Sequence, residues 1–148
     1  MRAVLQRATW ARVSVAGEAI GALDGPGLVV LLGVKNGDGE AEALAVASKA
    51  WNLRIFGDEE GRMNRSLAEI GGGLLVISQF TLYADTSKGR RPSFVAAAPR
   101  EAAEPLVDRV VEHFRSFGAK VATGRFGAEM LVELANDGPV TVVIDTAR

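Results

Sequence analysis

Hydrophobic positions recur with period two over residues 3–15 and 130–144, and an apolar run covering both parities follows the three glycines Gly71-Gly72-Gly73. The stretch Leu74-Leu75-Val76-Ile77-Ser78-Gln79-Phe80-Thr81-Leu82-Tyr83 is rich in β-branched, aromatic and leucine residues, which predicts a strand. Leu74 and Val76 fall on one parity, Leu75 and Ile77 on the other, so both faces are apolar and the strand should be covered on both sides. Ser78, Gln79 and Thr81 then bring three polar side chains into four residues. A buried amide or hydroxyl without a partner costs roughly 1–3 kcal/mol. These groups therefore either run out to a wet edge or line a pocket.

The same period predicts strands over residues 3–15, Ile20 to Leu23 and Leu28 to Val34, joined by tight turns at Gly17 and Asp24-Gly25-Pro26-Gly27. Arg7 shares parity with the apolar residues of the first strand. Either it points a cation inward, or a bulge or frayed end turns it out. Asp38 is placed to cap a helix from about Gly39 to Asn52, with Glu40 and Glu42 in its first turn and Leu44, Ala47, Ala50 and Trp51 as its apolar stripe. A short strand, Leu53-Arg54-Ile55-Phe56, an exposed turn over 57–61, and a helical turn or loop at Ser66 to Ile70 follow.

Beyond Tyr83, Ala84 to Phe94 reads as a polar loop carrying Lys88, Arg90 and Arg91. A helix with Leu106, Val107, Val110, Val111, Phe114 and Phe117 on one stripe comes next. Pro105 either opens it or kinks a longer helix starting near Arg100, and Gly118 closes it. Lys120 to Thr123 is one more strand, and Gly124-Arg125-Phe126-Gly127 bends the chain. Met130, Val132 and Leu134 alternate into Asn136-Asp137-Gly138-Pro139, and Val140, Val142 and Ile144 alternate out. That pattern predicts a hairpin, although proline is an odd residue with which to open its second strand. Two or three helices among about eight strands make a mixed α/β chain with layered sheets, read as one domain over 1–148.

Composition narrows the chemistry. The 148 residues carry a net charge of −1, which argues against coating nucleic acid by bulk electrostatics but leaves room for a local basic patch. With no cysteine there is no disulfide, thiolate nucleophile or Cys-based metal site. The one histidine, His113, would have to serve any Ser-His-Asp or multi-His site, and its place at the edge of a helical stripe reads as helix surface. The longest apolar run, Leu28 to Val34, is seven residues, far short of a membrane span, and residues 1–7 show no secretory pattern. A cytoplasmic protein is the expectation.

Ser78-Gln79-Phe80-Thr81-Leu82 and Asn136-Asp137-Gly138-Pro139-Val140-Thr141 resemble the two signature motifs of the D-aminoacyl-tRNA deacylases. The resemblance extends over essentially the whole chain. It takes in the Gln6-Arg7 pair, Leu53-Arg54-Ile55-Phe56, Met63-Asn64-x-Ser66-Leu67, Gly89 to Phe94 and Gly124-x-Phe126-Gly127-Ala128-x-Met130. It implies a homodimer of layered β/β/α subunits that hydrolyses the ester between a D-amino acid and the tRNA 3′ adenosine, with no cofactor. It further implies a cis Gly138-Pro139 bond reaching into the partner subunit's pocket, with Arg7 packed behind it.

An aminoacyl ester is already activated, so its hydrolysis needs a held substrate, a positioned nucleophile and a stabilised oxyanion. Thr81 offers a hydroxyl, but threonine is a weak nucleophile without an adjacent base. Neither motif contains histidine, and Asp85 and Asp137, the nearby carboxylates, are feeble bases for an alcohol. The favoured mechanism is water attacking with help from the substrate's ribose 2′-hydroxyl, the carbonyl oxygen being held by backbone N–H groups near Phe80 and Thr81. Covalent catalysis by Thr81 is the alternative. Ser78 and Gln79 then position the adenosine end or the water, Phe80 shapes the pocket, and Lys88, Arg90 and Arg91 contact phosphates. An adenosine or RNA-end binding module without catalysis, or a small-molecule esterase, would be the competing readings.

Overall fold

The computed structural model describes residues 1–147. Strand β1 (Arg2–Val15) turns at Ala16 and Gly17, both with positive φ as a two-residue hairpin demands, into β2 (Glu18–Leu23). Strand β3 (Gly27–Gly33) leads through helix α1 (Glu40–Asn52), the small ribbon β4 (Phe56–Gly57) and β5 (Met63–Arg65), and helix α2 (Leu67–Ile70) into β6 (Gly73–Ser78). Helix α3 (Arg100–Ser116), β7 (Val121–Thr123) and β8 (Leu131–Asp145) complete the chain.

β1 organises the sheet. Its first half pairs with β3, its second half with β2, and its other edge with β8 along nearly its whole length. β3 and β6, then β6 and β7, run parallel, joined by helical crossovers. The sheet rolls until β2 approaches β7: a Cβ on Gly21 would lie 2.5 Å from the Thr123 carbonyl oxygen, so only glycine lets the barrel close this far.

Alternation along β3 and β6 sends side chains into two cores. Val29, Leu75 and Ile77 join Ala8, Ala11 and Val13 inside the barrel. Leu28, Val30, Leu74 and Val76 face out onto Ala43, Val46, Val110 and Phe114 of the helices. Two-sided covering of Leu74 to Ile77 is thus realised, and the layered mixed α/β arrangement is a nearly closed barrel backed by helices. Phe114 is fully buried, so its truncation to alanine would cost about 3–5 kcal/mol.

Several expectations need correction. The stretch 74–83 is not one strand: β6 stops at Ser78, the Gln79 N–H to the Leu32 carbonyl (2.7 Å) is the last rung of the β3–β6 ladder, and Phe80–Tyr83 is a 3₁₀ turn in which the Gln79 and Thr81 carbonyls accept from Leu82 and Ala84. The expected hairpin at Asn136 to Pro139 is a bulge within β8, which keeps pairing with β1 on both sides of it. Between the pairs Gln6↔Thr141 and Ala8↔Asn136, β8 spends more residues than β1, and the excess is expelled as a protrusion.

Gly39, not Asp38, is the N-cap of α1, with Glu42 accepting its N–H. The buried face of α1 is Ala43, Val46, Ala47 and Ala50, while Leu44 is exposed. The short strand is confined to Phe56–Gly57. Pro105 lies inside a helix that begins at Arg100, and Gly118 (φ 96) closes it in a Schellman arrangement, with Gly118 and Ala119 donating to the Arg115 and Phe114 carbonyls.

Candidate active site

The 3₁₀ turn carries the first motif. As its first two residues, Phe80 and Thr81 have no acceptor within the turn for their N–H groups. Leu82 and Ala84 donate instead, to the Gln79 and Thr81 carbonyls. The Gln79 side-chain amide donates to Thr81 Oγ1 in a short contact. The Phe80 ring is 58% exposed and meets the Phe94 ring edge-on, with centroids 5.0 Å apart. Behind the turn lies a cavity of about 260 Å³ lined by Ser78, Gln79, Phe80, Val107, Phe126 and Met130, among others. A hollow of the same volume continues past Ser78 and Phe126 to Asp108, Glu112 and Arg115. Larger hollows at the barrel's ends, about 440 and 510 Å³, do not touch the turn.

The second motif sits elsewhere in the subunit. The Gly138–Pro139 peptide is cis, and both residues are exposed. Arg7 reaches up from β1 behind it, donating from Nε to the Asp137 carbonyl (3.1 Å) and from Nη1 to the Ile55 carbonyl (2.7 Å). A Cβ on Gly138 would lie 3.1 Å from Arg7 Nη2. Arg7 therefore combines both readings of its parity: the ladder is irregular beside it, yet its side chain is only 15% exposed and its guanidinium is used. Along β1, Arg2 contacts Leu82 of the turn and Arg7 contacts Asp137. Those two anchor points lie five residues apart, about 16 Å at strand spacing. The fold does not bring the two motifs together within one subunit.

The family model for D-Tyr-tRNA(Tyr) deacylase matches residues 4–145. The chain belongs to this family. It is 60% identical over 147 residues to the D-aminoacyl-tRNA deacylase of Roseiflexus sp. (strain RS-1), covering 99% of this chain and 94% of that one. The D-aminoacyl-tRNA deacylase of Heliobacterium modesticaldum is 57% identical over 145 residues, with 98% and 96% covered. Among solved structures, a c-Myc DNA Unwinding Element Binding Protein superposes with a TM-score of 0.92 at 39% identity, covering 99% of each chain. A probable eukaryotic D-amino acid tRNA deacylase shares the fold, with a TM-score of 0.81 at 18% identity and 97% of each chain covered.

Seen as a deacylase site, the turn holds no general base. His113 stands away from the turn, at the edge of the α3 stripe: its side chain is 14% exposed and its Nε2 lies 2.7 Å from the exposed Glu40, between α1 and α3. Glu40 itself is held down to about 2, chiefly by Arg109 and then by His113. Asp85 is lowered by the Ser87 hydroxyl and amide, and Asp137 faces Arg7 at 3.5 Å. The Tyr83 phenol is pushed up to about 12 by burial, then by Asp38 and Asp145, so it stays protonated near neutrality. Among the described residues, no cluster of three or more His, Asp or Glu is placed to hold a metal.

Lys88, Arg90 and Arg91 are exposed on a loop pinched at its base by the Asp85↔Ser93 bridge. Phe126, Gly127, Ala128 and Met130 line the cavity, although reading the residues alone assigned them no role. The available signal was an aromatic among glycines at a bend, Gly124-x-Phe126-Gly127. Arg100 packs over the Phe126 ring at 5.6 Å, a link that no sequence spacing announces.

Proposed function

We propose that this protein hydrolyses the ester of D-aminoacyl-tRNA in the cytoplasm, releasing D-amino acid and tRNA. The observation that carries the reading is the pair of amides, Phe80 N–H and Thr81 N–H, left without acceptors beside a cavity that offers no general base. Two such donors suit a carbonyl oxygen on its way to an oxyanion, where charge stabilisation is often the largest catalytic contribution. Gln79 bonded to Thr81 Oγ1 supports a threonine that positions and does not attack. A side-chain amide, whichever way it is turned, supplies no base to draw off the hydroxyl proton. Water then attacks with the substrate's ribose 2′-hydroxyl assisting, Ser78 and Gln79 hold the adenosine end or that water, and Phe80 forms part of the wall.

Chirality is set by exclusion. With the α-amino group and the ester carbonyl both held, the two remaining substituents on Cα point in fixed directions. A backbone wall at Gly138 and Pro139 then meets an L side chain but only hydrogen in the D isomer. Because that wall is exposed and remote from its own subunit's turn, it serves the pocket of a second copy. The active form is therefore a symmetric homodimer. Arg7 fixes the wall from behind. Lys88, Arg90 and Arg91 contact phosphates of the acceptor end, a number suited to one tRNA terminus. Glycine has no side chain to exclude, so glycyl-tRNA is also cleaved.

The test is hydrolysis of D-Tyr-tRNA, L-Tyr-tRNA and a D-tyrosine ethyl ester by the same preparation. Cleavage of the first alone supports the reading. Equal rates on the D and L forms would remove the wall, preference for the ethyl ester would make this a small-molecule esterase, and binding without cleavage would make it an RNA-end binder.

A further inference from the structure

The 3₁₀ turn has a substrate-facing end and an anchored end. Phe80 and Thr81 open it with unpaired amides, and Leu82, near its close, offers its carbonyl to Arg2. Arg2 Nη1 donates to that oxygen at 2.7 Å. The same guanidinium donates from Nε to Asp145 Oδ2 at 2.9 Å, with Nη2 equally close to that oxygen. Its Cζ also lies 4.8 Å from the centroid of the Tyr83 ring. One side chain thereby joins the first strand, the last strand and two residues of the turn. Asp145 is almost fully buried on this side, 6% exposed, and accepts the Ala147 N–H as well, so the carboxylate that holds Arg2 is itself fixed. Arginine suits the task because its planar fork holds a carboxylate with two nitrogens and keeps a third for the carbonyl.

We propose that Arg2 is a positioning residue for catalysis, setting the direction of the Phe80 and Thr81 amides by fixing the Leu82 carbonyl at the other end of the same turn. The proposal rests on the reading of those amides as the oxyanion site. In a four-residue turn, the carbonyl of one residue and the amides two and one positions earlier move together, since few dihedrals separate them. Freed from Arg2, the turn can rotate about its attachment at Gln79, and the amides lose their aim at the reacting oxygen. Such a loss affects the transition state more than the bound substrate, because the oxyanion forms only there.

The experiment is steady-state hydrolysis of D-Tyr-tRNA by wild type, Arg2→Ala, Arg2→Lys and Asp145→Asn. Amide hydrogen exchange is followed on the same full-length samples. In Arg2→Ala, kcat should fall roughly tenfold or more while KM stays within about twofold. Exchange should accelerate at Leu82 and Ala84, whose N–H groups close the turn, and stay unchanged at Val29 and Val30 in the core. Arg2→Lys should recover part of kcat, since an ammonium reaches the carbonyl without forking onto Asp145. Asp145→Asn should fall between Arg2→Lys and Arg2→Ala. An arginine with only a structural role would speed exchange through β1 and β3 and would not separate kcat from KM. Unchanged kcat, a loss confined to KM, or unchanged exchange at Leu82 and Ala84 each overturns the proposal. Wild-type enzyme inactive on D-Tyr-tRNA would refute the functional reading, an outcome separate from any difference among the variants.

Discussion

The turn at Phe80 to Tyr83 and the bulge at Asn136 to Pro139 are both interruptions of strands, yet they differ in what surrounds them. The turn is backed by its own chain: Gln79 bonds to Leu32, Leu82 to Arg2, and a cavity opens behind Phe80. The bulge is held from below by Arg7 and faces outward with nothing of its own subunit over Gly138 and Pro139. An interruption that faces a cavity in its own subunit can bind substrate there. One that protrudes, rigidly held, is built to act on something outside. That contrast underlies the proposed division between a chemical half and a selective half of one composite site.

The largest expected effect comes from breaking the chemical half. Phe80→Pro removes one oxyanion donor at a position where proline is tolerated, the first residue of a helical turn, and should lower kcat on D-Tyr-tRNA by about 10²–10³-fold. A loss of less than tenfold, with the melting temperature retained, would remove that amide from the mechanism.

Breaking the selective half should cost nearly as much. A Cβ at Gly138 would lie 2.7 Å from Val140 Cγ2 and 3.0 Å from the Val140 nitrogen, at a φ of 127° that side chains rarely adopt. Gly138→Ala should therefore displace the wall, with D-specific activity falling about 10²-fold and stability by about 1–3 kcal/mol. Mixing this variant with Phe80→Pro sharpens the comparison. Random exchange makes half the dimers mixed, each with one intact site, so activity should return to about a quarter of wild type. No recovery after confirmed subunit exchange, or a fully active monomer in sedimentation, would place both halves within one subunit and sink the shared site.

Smaller effects separate binding from both halves. Replacing Lys88, Arg90 and Arg91 together by glutamine should raise KM for D-Tyr-tRNA and flatten its salt dependence by about three in log–log slope at most. Hydrolysis of D-tyrosyl-adenosine, which keeps the 2′-hydroxyl but has no acceptor-stem phosphates, should be untouched. An equal loss on both substrates would mean that the loop supports the turn and does not contact RNA. The smallest effect should be Thr81→Ala, within about tenfold of wild type. A substrate ending in 2′-deoxyadenosine should suffer more. An acyl adduct on Thr81 in mass spectrometry would reverse that ranking and make the threonine the nucleophile.

Local pattern was enough to reveal much of this molecule. Alternation in β1, β3 and β6, the stripe of α3, the Gly17 turn and the Gly118 stop are properties of neighbouring residues, and the structure realises each. The Ser78-to-Thr81 and Asn136-to-Thr141 motifs were legible as strings. Their shapes were not. Whether the strand continues past Ser78-Gln79 depends on β3, which ends at Gly33 and offers the Leu32 carbonyl as the last acceptor of the ladder. Whether Asn136 to Pro139 turns back or bulges depends on β1, which offers both flanks of β8 one continuous partner. A turn composition specifies a local change of direction, but the ladder decides whether the chain reverses, because satisfying the backbone of both flanks outweighs the preference of four residues. Arg7 and Arg2 make the same point through side chains. Their parity and charge are in the sequence, but the carbonyls of Asp137, Ile55 and Leu82 that give them roles arrive only when β8, the ribbon and the 3₁₀ turn pack along β1.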